Sequence, residues 1–408
     1  MSIKIRLIIM NFLQFFIWGS WLTTLGVYLG NSLGFTGSQT ASIFATMGIA
    51  AVIMPALIGV IADKWINAER LLCVLHIGGS IVLFLLSGTT VFEHFFWLML
   101  LYNSMYMSTL GLASSLSYNA LKFNGLDIVK SFPPIRVWGT IGFIGAMWMV
   151  DICRWTTSRQ QIYLASAASL LYGIYALSLP KYRREHLSEN ISIKNILGID
   201  ALHLFKERQM AIFFIFSMLI GSALQITNTF GQPFLTDFSL VGTYSDSFTV
   251  RHPGILTSVS QISEALFILA IPFFLRKYGI KTVMLMSIAG WMLRFGLFGI
   301  GDPGNGFIFL ILSMIVYGLA FDFFQISGSL FIEQQVNPSI RISAQGIFIF
   351  MTNGVGTIIG TKLSGWVVDY FTDVNGYRSW ESIWFVFAGY ALVLGILFLI
   401  LFNPKKSI

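Results

Sequence analysis

The chain has 408 residues, of which 56% are hydrophobic and only 11% are charged, and its formal net charge is +7. Soluble domains carry about 25% charged residues, so this composition excludes an ordinary globular enzyme and indicates a membrane protein. The two cysteines, Cys73 and Cys153, belong to no metal-ligand spacing. The sequence therefore predicts no metal and no other bound cofactor.

Twelve apolar runs follow one another along the chain, each close to the roughly 20 residues that a helix needs to cross a bilayer. They predict an all-α membrane protein with twelve transmembrane helices at about residues 5–28, 39–62, 71–90, 95–120, 134–151, 161–180, 209–236, 253–275, 282–300, 306–333, 342–368 and 380–402. Runs of this length lack the alternation of barrel strands. The first run is too long for a signal peptide and is counted as a span.

The longest polar segment separates two sets of six spans. It predicts an N-terminal six-helix bundle at 1–180, a cytoplasmic linker at 181–208 and a C-terminal six-helix bundle at 209–408. With both termini in the cytoplasm, nineteen Lys and Arg residues fall on the inner side and four on the outer side. This asymmetry is the positive-inside rule, so the basic excess predicts membrane topology and no nucleic-acid partner.

Three spans of the second half carry polar stripes at helical spacing, because residues three, four or seven apart share a face. The stripes are Gly221, Gln225, Asn228 and Gln232 in span seven, Thr257, Ser260, Gln261 and Glu264 in span eight, and Gly318, Asp322, Gln325 and Ser329 in span ten. Hydrogen bonds that join the helices are one interpretation. Two carboxylates at membrane depth favour a polar binding cavity, since small residues pack helices at lower cost.

Span five begins at two prolines and then places Arg136, Thr140 and Phe143 at about one-turn spacing. Three glycines at 139, 142 and 145 predict that a neighbouring helix or ligand approaches closely. Two further residues leave alternatives open. Arg294 either reaches the membrane surface or pairs with an acid, and His76 is either a proton carrier or a hydrogen-bonded packing residue, with packing favoured.

Several long segments closely resemble the bacterial nucleoside:proton symporters, a branch of the major facilitator superfamily. The clearest are "DIVKSFPPIRVWGTIGFI", "SQISEALFILAIPFFL" and "LSMIVYGLAFDFFQISGS", and the likeness runs from the first span to the last. The resemblance implies the major facilitator fold, with nucleosides taken up across the bacterial inner membrane by proton symport through alternating access. It assigns substrate binding to Arg136, Thr140, Phe143, Gln225, Asn228, Gln261, Glu264, Tyr317 and Phe321. Gln325 departs from the family, which often has Asn there.

These residue types suit a nucleoside. Carboxamides donate and accept hydrogen bonds, a carboxylate accepts from two hydroxyls, and aromatic rings stack on a base. Glu264 and Asp322 are the acids predicted deep within spans. We expect Asp322 to be the proton-coupling residue, and Glu264 to be chiefly a ligand that remains a second candidate for coupling. The expected partners are a nucleoside, a proton and the lipid bilayer, and the protein is expected to be a monomer.

Other functions remain possible on the residues alone. A sugar:proton symporter of the same superfamily would use similar acids and amides, but fewer aromatic residues. A nucleoside sensor that does not transport, or a sodium-coupled carrier, would also accommodate the polar stripes. An enzyme is not expected, because the sequence has no His/Cys cluster, no nucleophile with a plausible base and no phosphate-binding loop.

Overall fold

The structure is a computed structural model that describes residues 2–180, 199–337 and 340–403. Of the predicted linker 181–208, residues 181–198 lie outside the described part, and a 3₁₀ helix at Ile199–Lys206 follows. The described chain is almost entirely helical, with one isolated β-bridge between Thr372 and Arg378.

The longer helices are numbered in chain order. They are α1 (Ile3–Gly19), α2 (Gly37–Lys64), α3 (Ala68–Ser87), α4 (Phe92–Phe123), α5 (Ile128–Ile152), α6 (Gln160–Ala176), α7 (Arg208–Asp237), α8 (Pro253–Ile300), α9 (Phe307–Gln335), α10 (Arg341–Ile349), α11 (Thr357–Tyr370) and α12 (Trp380–Leu401). Shorter helical segments are Leu25–Val27, Phe238–Leu240, Gly242–Tyr244 and Phe248–Arg251, and π-helical segments are Tyr28–Ser32 and Phe350–Gly356.

Every predicted span coincides with helix, but the boundaries differ. Within the described residues, eight helices are long and apolar enough to cross a membrane. The predicted first span is interrupted, because α1 ends at Gly19 and the short segments follow. Helix α8 has 48 residues and covers the predicted spans eight and nine together. Its helical course is broken at Gly279, whose φ of 76° is a backbone conformation that glycine adopts without steric cost.

The chain divides into two compact units. Unit 1 comprises Met1–Phe35 and Ser42–Ile193, and unit 2 comprises Thr36–Ala41 and Lys194–Ile408. The first turn of α2 therefore belongs to unit 2 and the rest of that helix to unit 1. Each unit has its own apolar core, rich in Leu, Met and Tyr in unit 1 and in Phe in unit 2.

Small residues decide which helix faces meet inside each unit. In unit 1 a Cβ atom on Gly142 of α5 would collide with the backbone of Phe12 of α1. In unit 2 a Cβ atom on Gly318 of α9 would lie 2.7 Å from the carbonyl oxygen of Ser263 of α8. Helices approach this closely only where the side chain is absent. These crossings bring α1 against α5, and α8 against α9.

Candidate functional site

Helix α5 carries the three site residues predicted in unit 1, and two of them, Arg136 and Phe143, contact α1. The Arg136 guanidinium carbon is 3.9 Å from the ring centre of Phe15. Phe143 is buried, with the edge of its ring against Trp18 at 6.4 Å. Thr140 is half-buried. The close approach predicted at positions 139 and 142 is confirmed, whereas Gly145 has open space around it.

Helix α7 carries the first predicted pair of unit 2. Gln225 is buried and Asn228 is half-buried. The Asn228 side-chain nitrogen donates to the Gln225 side-chain oxygen at 3.4 Å. The predicted shared face is therefore present, and the two carboxamides orient each other.

Helix α8 carries Gln261 and Glu264, which are both half-buried. Their neighbours on the other side of the helix, Leu266 and Leu269, are 63% and 78% exposed. Exposed leucines on a helix of this length are typical of a face turned to lipid. The polar face of α8 is thus the one turned toward the protein.

Helix α9 carries Tyr317, Phe321 and Asp322. The rings of Tyr317 and Phe321 are nearly parallel, at 15° and with centres 6.0 Å apart. Asp322 is only 5% exposed. Its Oδ2 atom has no hydrogen-bond partner among the described residues.

The crossing at Gly318 brings these two helices together at their polar faces. The Tyr317 hydroxyl is hydrogen-bonded to the side chain of Gln261 and lies close to the carboxyl groups of Glu264 and Asp322. Four sequence-predicted residues of unit 2 are therefore one contiguous cluster, defined here as the α8–α9 cluster. A group that both donates and accepts, next to two carboxyls, can bind a polyhydroxylated ligand and hold a proton.

Arg294 follows neither of its two predicted alternatives. It is buried, so it does not reach the surface. Among the described residues it has no ion pair with Asp or Glu. Its Nη1 atom donates to the Ser313 carbonyl oxygen at 2.9 Å and to the Ser260 hydroxyl at 3.3 Å. The guanidinium also lies over the rings of Tyr317 and Phe298. The sequence does not predict this contact, because it depends on how α8 and α9 are rotated against each other.

His76 in unit 1 is a hydrogen-bonded packing residue, as favoured. Its Nδ1 atom lies 3.1 Å from the Ser169 hydroxyl, which in turn donates to the His76 carbonyl oxygen at 2.9 Å. The ring centre of Tyr172 is 4.1 Å away. These partners are all neutral.

Sequence reasoning missed a charged cluster at the end of α7. Arg378 Nη1 and Trp380 Nε1 each donate to Asp237 Oδ2 at 2.9 Å. They line an open cavity of about 380 Å³ together with Phe234, Asp302 and Glu381. No predicted binding residue lines this cavity. The Asp–Arg pair is far apart in sequence, and only the fold could reveal it.

Among the described residues, no group of three or more His, Cys, Asp or Glu side chains is arranged to hold a metal ion. The α8–α9 cluster has two acids and one amide, and its chemistry is that of hydrogen bonding and proton binding.

Comparison with known proteins identifies the family of the chain. The sequence profile of the family described as "Nucleoside H+ symporter" matches residues 1–407. The chain is 54% identical to the xanthosine permease of Escherichia coli (strain K12), covering 100% of this chain and 98% of that protein. It is 50% identical to the nucleoside permease NupG of the same organism, covering 99% of this chain and 97% of that protein.

Solved structures give the same relation. A crystal structure of the nucleoside transporter NupG superposes with a TM-score of 0.94 at 50% identity, covering 99% of this chain and 100% of that one. A bacterial homolog of the human lysosomal transporter Spinster superposes with a TM-score of 0.68 at 12% identity, covering 98% and 94%. The second likeness concerns the fold alone.

Proposed function

Because this chain belongs to the nucleoside H+ symporter family, we propose that the α8–α9 cluster is part of its nucleoside-binding and proton-coupling site. The protein is a transporter and not an enzyme, as its relatives are permeases. In a symporter the proton and the substrate move in the same direction, so the proton gradient drives nucleoside uptake. The mechanism therefore depends on which residues bind the proton and which bind the nucleoside.

The contiguity of Gln261, Glu264, Tyr317 and Asp322 is the observation that carries this proposal. A ribose offers vicinal hydroxyls, and an ionised carboxylate such as Glu264 accepts from both. Gln261 can donate to and accept from a base edge. Charged groups at membrane depth are costly and usually serve transport.

Residues outside the α8–α9 cluster are also proposed to contact the substrate. Gln225 and Asn228 present paired carboxamides on α7. Phe321 is half-buried and offers part of its ring face for base stacking. Arg136, Thr140 and Phe143 are proposed as substrate residues because the sequence motif of span five resembles that of the family.

Asp322 is proposed as the proton-coupling acid, with Glu264 the alternative. Asp322 is more deeply buried than Glu264, and its Oδ2 has no described hydrogen-bond partner. A buried carboxyl without a partner is more stable in its neutral form. A proton bound to Asp322 would keep its carboxyl group neutral while the carrier changes from the outward-facing to the inward-facing state. Release of that proton on the inner side would return Asp322 to its starting state.

The setting is proposed from topology. We propose twelve spans in two bundles, at 1–180 and 209–408, with the linker 181–208 between the bundles in the sequence and both termini in the cytoplasm. The curated relatives are bacterial permeases, so the bacterial inner membrane is the proposed location. We propose that a monomer embedded in lipid is sufficient for transport.

Uptake by reconstituted protein tests the function. We expect proteoliposomes with an acidic exterior to accumulate labelled uridine, with competition by adenosine and not by free ribose or uracil. Competition by ribose would favour the sugar symporter, and binding without counterflow would favour a sensor. Sodium-free buffer excludes a sodium-coupled carrier if accumulation persists.

The acid is tested in the same vesicles. Asp322→Asn should abolish accumulation driven by the pH gradient, because the side chain can no longer exchange a proton. Counterflow, which needs no net proton movement, should remain. The matched control is Asp373→Asn, a loop acid outside the cluster. Intact gradient-driven accumulation in Asp322→Asn would move the coupling role to another residue.

A further inference from the structure

Arg294 is a buried cation that the proposed function has not used. It lies in α8 and is 3% exposed. Its Nη1 atom is fixed by the Ser313 carbonyl oxygen and the Ser260 hydroxyl. The Ser313 hydroxyl donates back to the Arg294 carbonyl oxygen at 2.9 Å. The guanidinium is thus held rigidly between the two parts of α8 and helix α9.

The charge of Arg294 is directed at aromatic rings. Its guanidinium carbon is 4.7 Å from the ring centre of Tyr317 and 5.0 Å from that of Phe298. The Nε atom is buried and has no hydrogen-bond partner within the described chain. Burying a guanidinium costs free energy that Leu or Met at this position would avoid. A cation over a ring face recovers part of that cost through the ring quadrupole.

Tyr317 transmits this contact to the binding residues. The edge of its ring faces Trp291, at 6.1 Å and 89°, so the ring is held on a second side. At the far end its hydroxyl is hydrogen-bonded to Gln261 and close to Glu264 and Asp322. A phenol ring fixed at its face and edge can direct its hydroxyl to only one place.

We propose that Arg294 is a positioning residue for the nucleoside site. It holds the ring of Tyr317, and Tyr317 holds the Gln261 carboxamide in the orientation that binds substrate. This inference rests on the proposed function of the α8–α9 cluster. Support behind a binding residue raises affinity because less freedom is lost when the ligand binds.

If Arg294 served only to join α8 to α9, the loss of another link between these helices should raise KM equally. Ser287 of α8 joins the same two helices by donating to the Ala320 carbonyl oxygen. It makes no described contact with Tyr317. Ser287→Ala therefore removes a link between α8 and α9 without disturbing the ring, and it serves as the matched control.

The test is nucleoside counterflow in proteoliposomes, with KM and Vmax measured separately. Arg294→Met should raise KM by about tenfold with Vmax within about twofold, because ground-state binding is lost and the transport cycle is intact. The KM of Arg294→Lys should lie between those of the wild type and Arg294→Met, since an ammonium group retains the charge but cannot stack as a planar guanidinium does. Ser287→Ala should leave KM unchanged.

Coupling to Tyr317 is the decisive measurement. In a Tyr317→Leu background, Arg294→Met should change KM by less than about twofold, because two residues that act through one contact are not additive. Should Arg294→Met be missing from the membrane, Arg294→Lys and Tyr317→Phe carry the test. Tyr317→Phe keeps the ring and removes the hydroxyl, so it should raise KM as Arg294→Met does.

The inference fails if Arg294→Met lowers Vmax with KM unchanged. It also fails if the effect persists in Tyr317→Leu, or if Ser287→Ala raises KM equally. A wild-type protein without nucleoside counterflow would instead contradict the proposed function itself, and the inference with it. The two failures are therefore distinguishable in one set of vesicles.

Discussion

The two units differ in which polar side chains they bury between their helices. Inside unit 1 several buried neutral side chains form hydrogen bonds with one another across helices. The Gln14 side-chain nitrogen donates to the Thr109 hydroxyl at 2.8 Å, and the Thr24 hydroxyl donates to the Gln161 side-chain oxygen at 2.6 Å. Inside unit 2, the ionisable side chains Arg294 and Asp322 are buried within long helices, away from the helix ends.

The buried acids of unit 1 sharpen this contrast. Glu69 is the second residue of α3, and Asp151 is the last but one of α5. The first turn of a helix has free backbone N–H groups from which a carboxylate can accept, whereas the last turn has free carbonyl groups that a carboxylate cannot satisfy. This structural reason therefore applies to Glu69 and not to Asp151. Asp322 lies about halfway along α9 and has no such reason. We therefore propose that most buried polar groups of unit 1 join helices, whereas the buried ionisable groups of unit 2 take part in proton coupling.

The largest expected effect follows from Glu264. Glu264→Gln removes a carboxylate acceptor of the proposed site, and hydrogen bonds to charged groups contribute about 1.5–3 kcal/mol. We therefore expect the Kd for nucleoside to rise by about 10–100-fold, measured by calorimetry on purified protein.

A polar substitution in unit 1 is the control for that measurement. Thr109→Val removes the buried hydrogen bond from Gln14 and should leave Kd unchanged while lowering stability. If Glu264→Gln binds as tightly as the wild type while remaining folded, Glu264 is not part of the site. If Thr109→Val weakens binding as much, the contrast between the units is wrong.

Helical periodicity was enough to predict which residues share a face. The Gln225–Asn228 contact and the clustering of Gln261 with Glu264 follow from spacing within one helix. The approach at Gly142 was also predicted, since a glycine in a span often marks a close contact. At Gly145 the same signal was wrong, because the sequence does not show which side of α5 meets α1.

Contacts between distant segments could not be predicted. Tyr317 contacts Arg294 because Gly318 and Gly290, which lack side chains, allow the backbones of α9 and α8 to approach closely. That rotation depends on the summed packing of both helices and leaves no local pattern. By contrast, the separation of spans eight and nine was predicted from the short polar connection between residues 275 and 282, and it is confirmed, since the helical conformation breaks at Gly279 within that connection.

A smaller effect is expected at His76, which tests whether unit 1 takes part in proton coupling. Its described neighbours Ser169, Tyr172 and Tyr106 are neutral, so no buried charge would respond to its protonation. His76→Gln should lower the free energy of unfolding by about 1 kcal/mol, through the lost hydrogen bond. The pH dependence of uptake should not change.

The control for His76 lies on the same pair of helices. The Ser80 and Ser166 hydroxyls join α3 to α6 at 3.1 Å, and Ser80→Ala should lower stability by a similar amount with the same pH profile. Uptake measured from acid to neutral external pH decides the point. A displaced midpoint in His76→Gln alone would place a titrating group in unit 1 and break the comparison.

The smallest effect is expected at the first turn of α2, which belongs to unit 2. The two carboxylate oxygens of Asp369 accept from the backbone nitrogens of Gly37 and Ser38 at 2.6 and 2.8 Å. An anion at a helix N-terminus contributes about 0.3–1 kcal/mol when partly exposed. Asp369→Asn removes the charge and one of the two acceptor oxygens, but the exposed Ser38 nitrogen can then bond to water. The free energy of unfolding should therefore fall within that range.

A second capping arrangement lies at the same end of α2. The Thr36 hydroxyl accepts from the Gln39 backbone nitrogen at 3.1 Å, and the Gln39 side chain accepts from the Thr36 backbone nitrogen at 3.0 Å. This reciprocal pair satisfies the backbone nitrogens of Thr36 and Gln39, whereas Asp369 satisfies those of Gly37 and Ser38. Because the two caps act on different nitrogens, Gln39→Ala in the Asp369→Asn background should lower the thermal unfolding midpoint by the sum of the two single changes. A loss clearly larger than that sum would mean that each cap compensates when the other is missing.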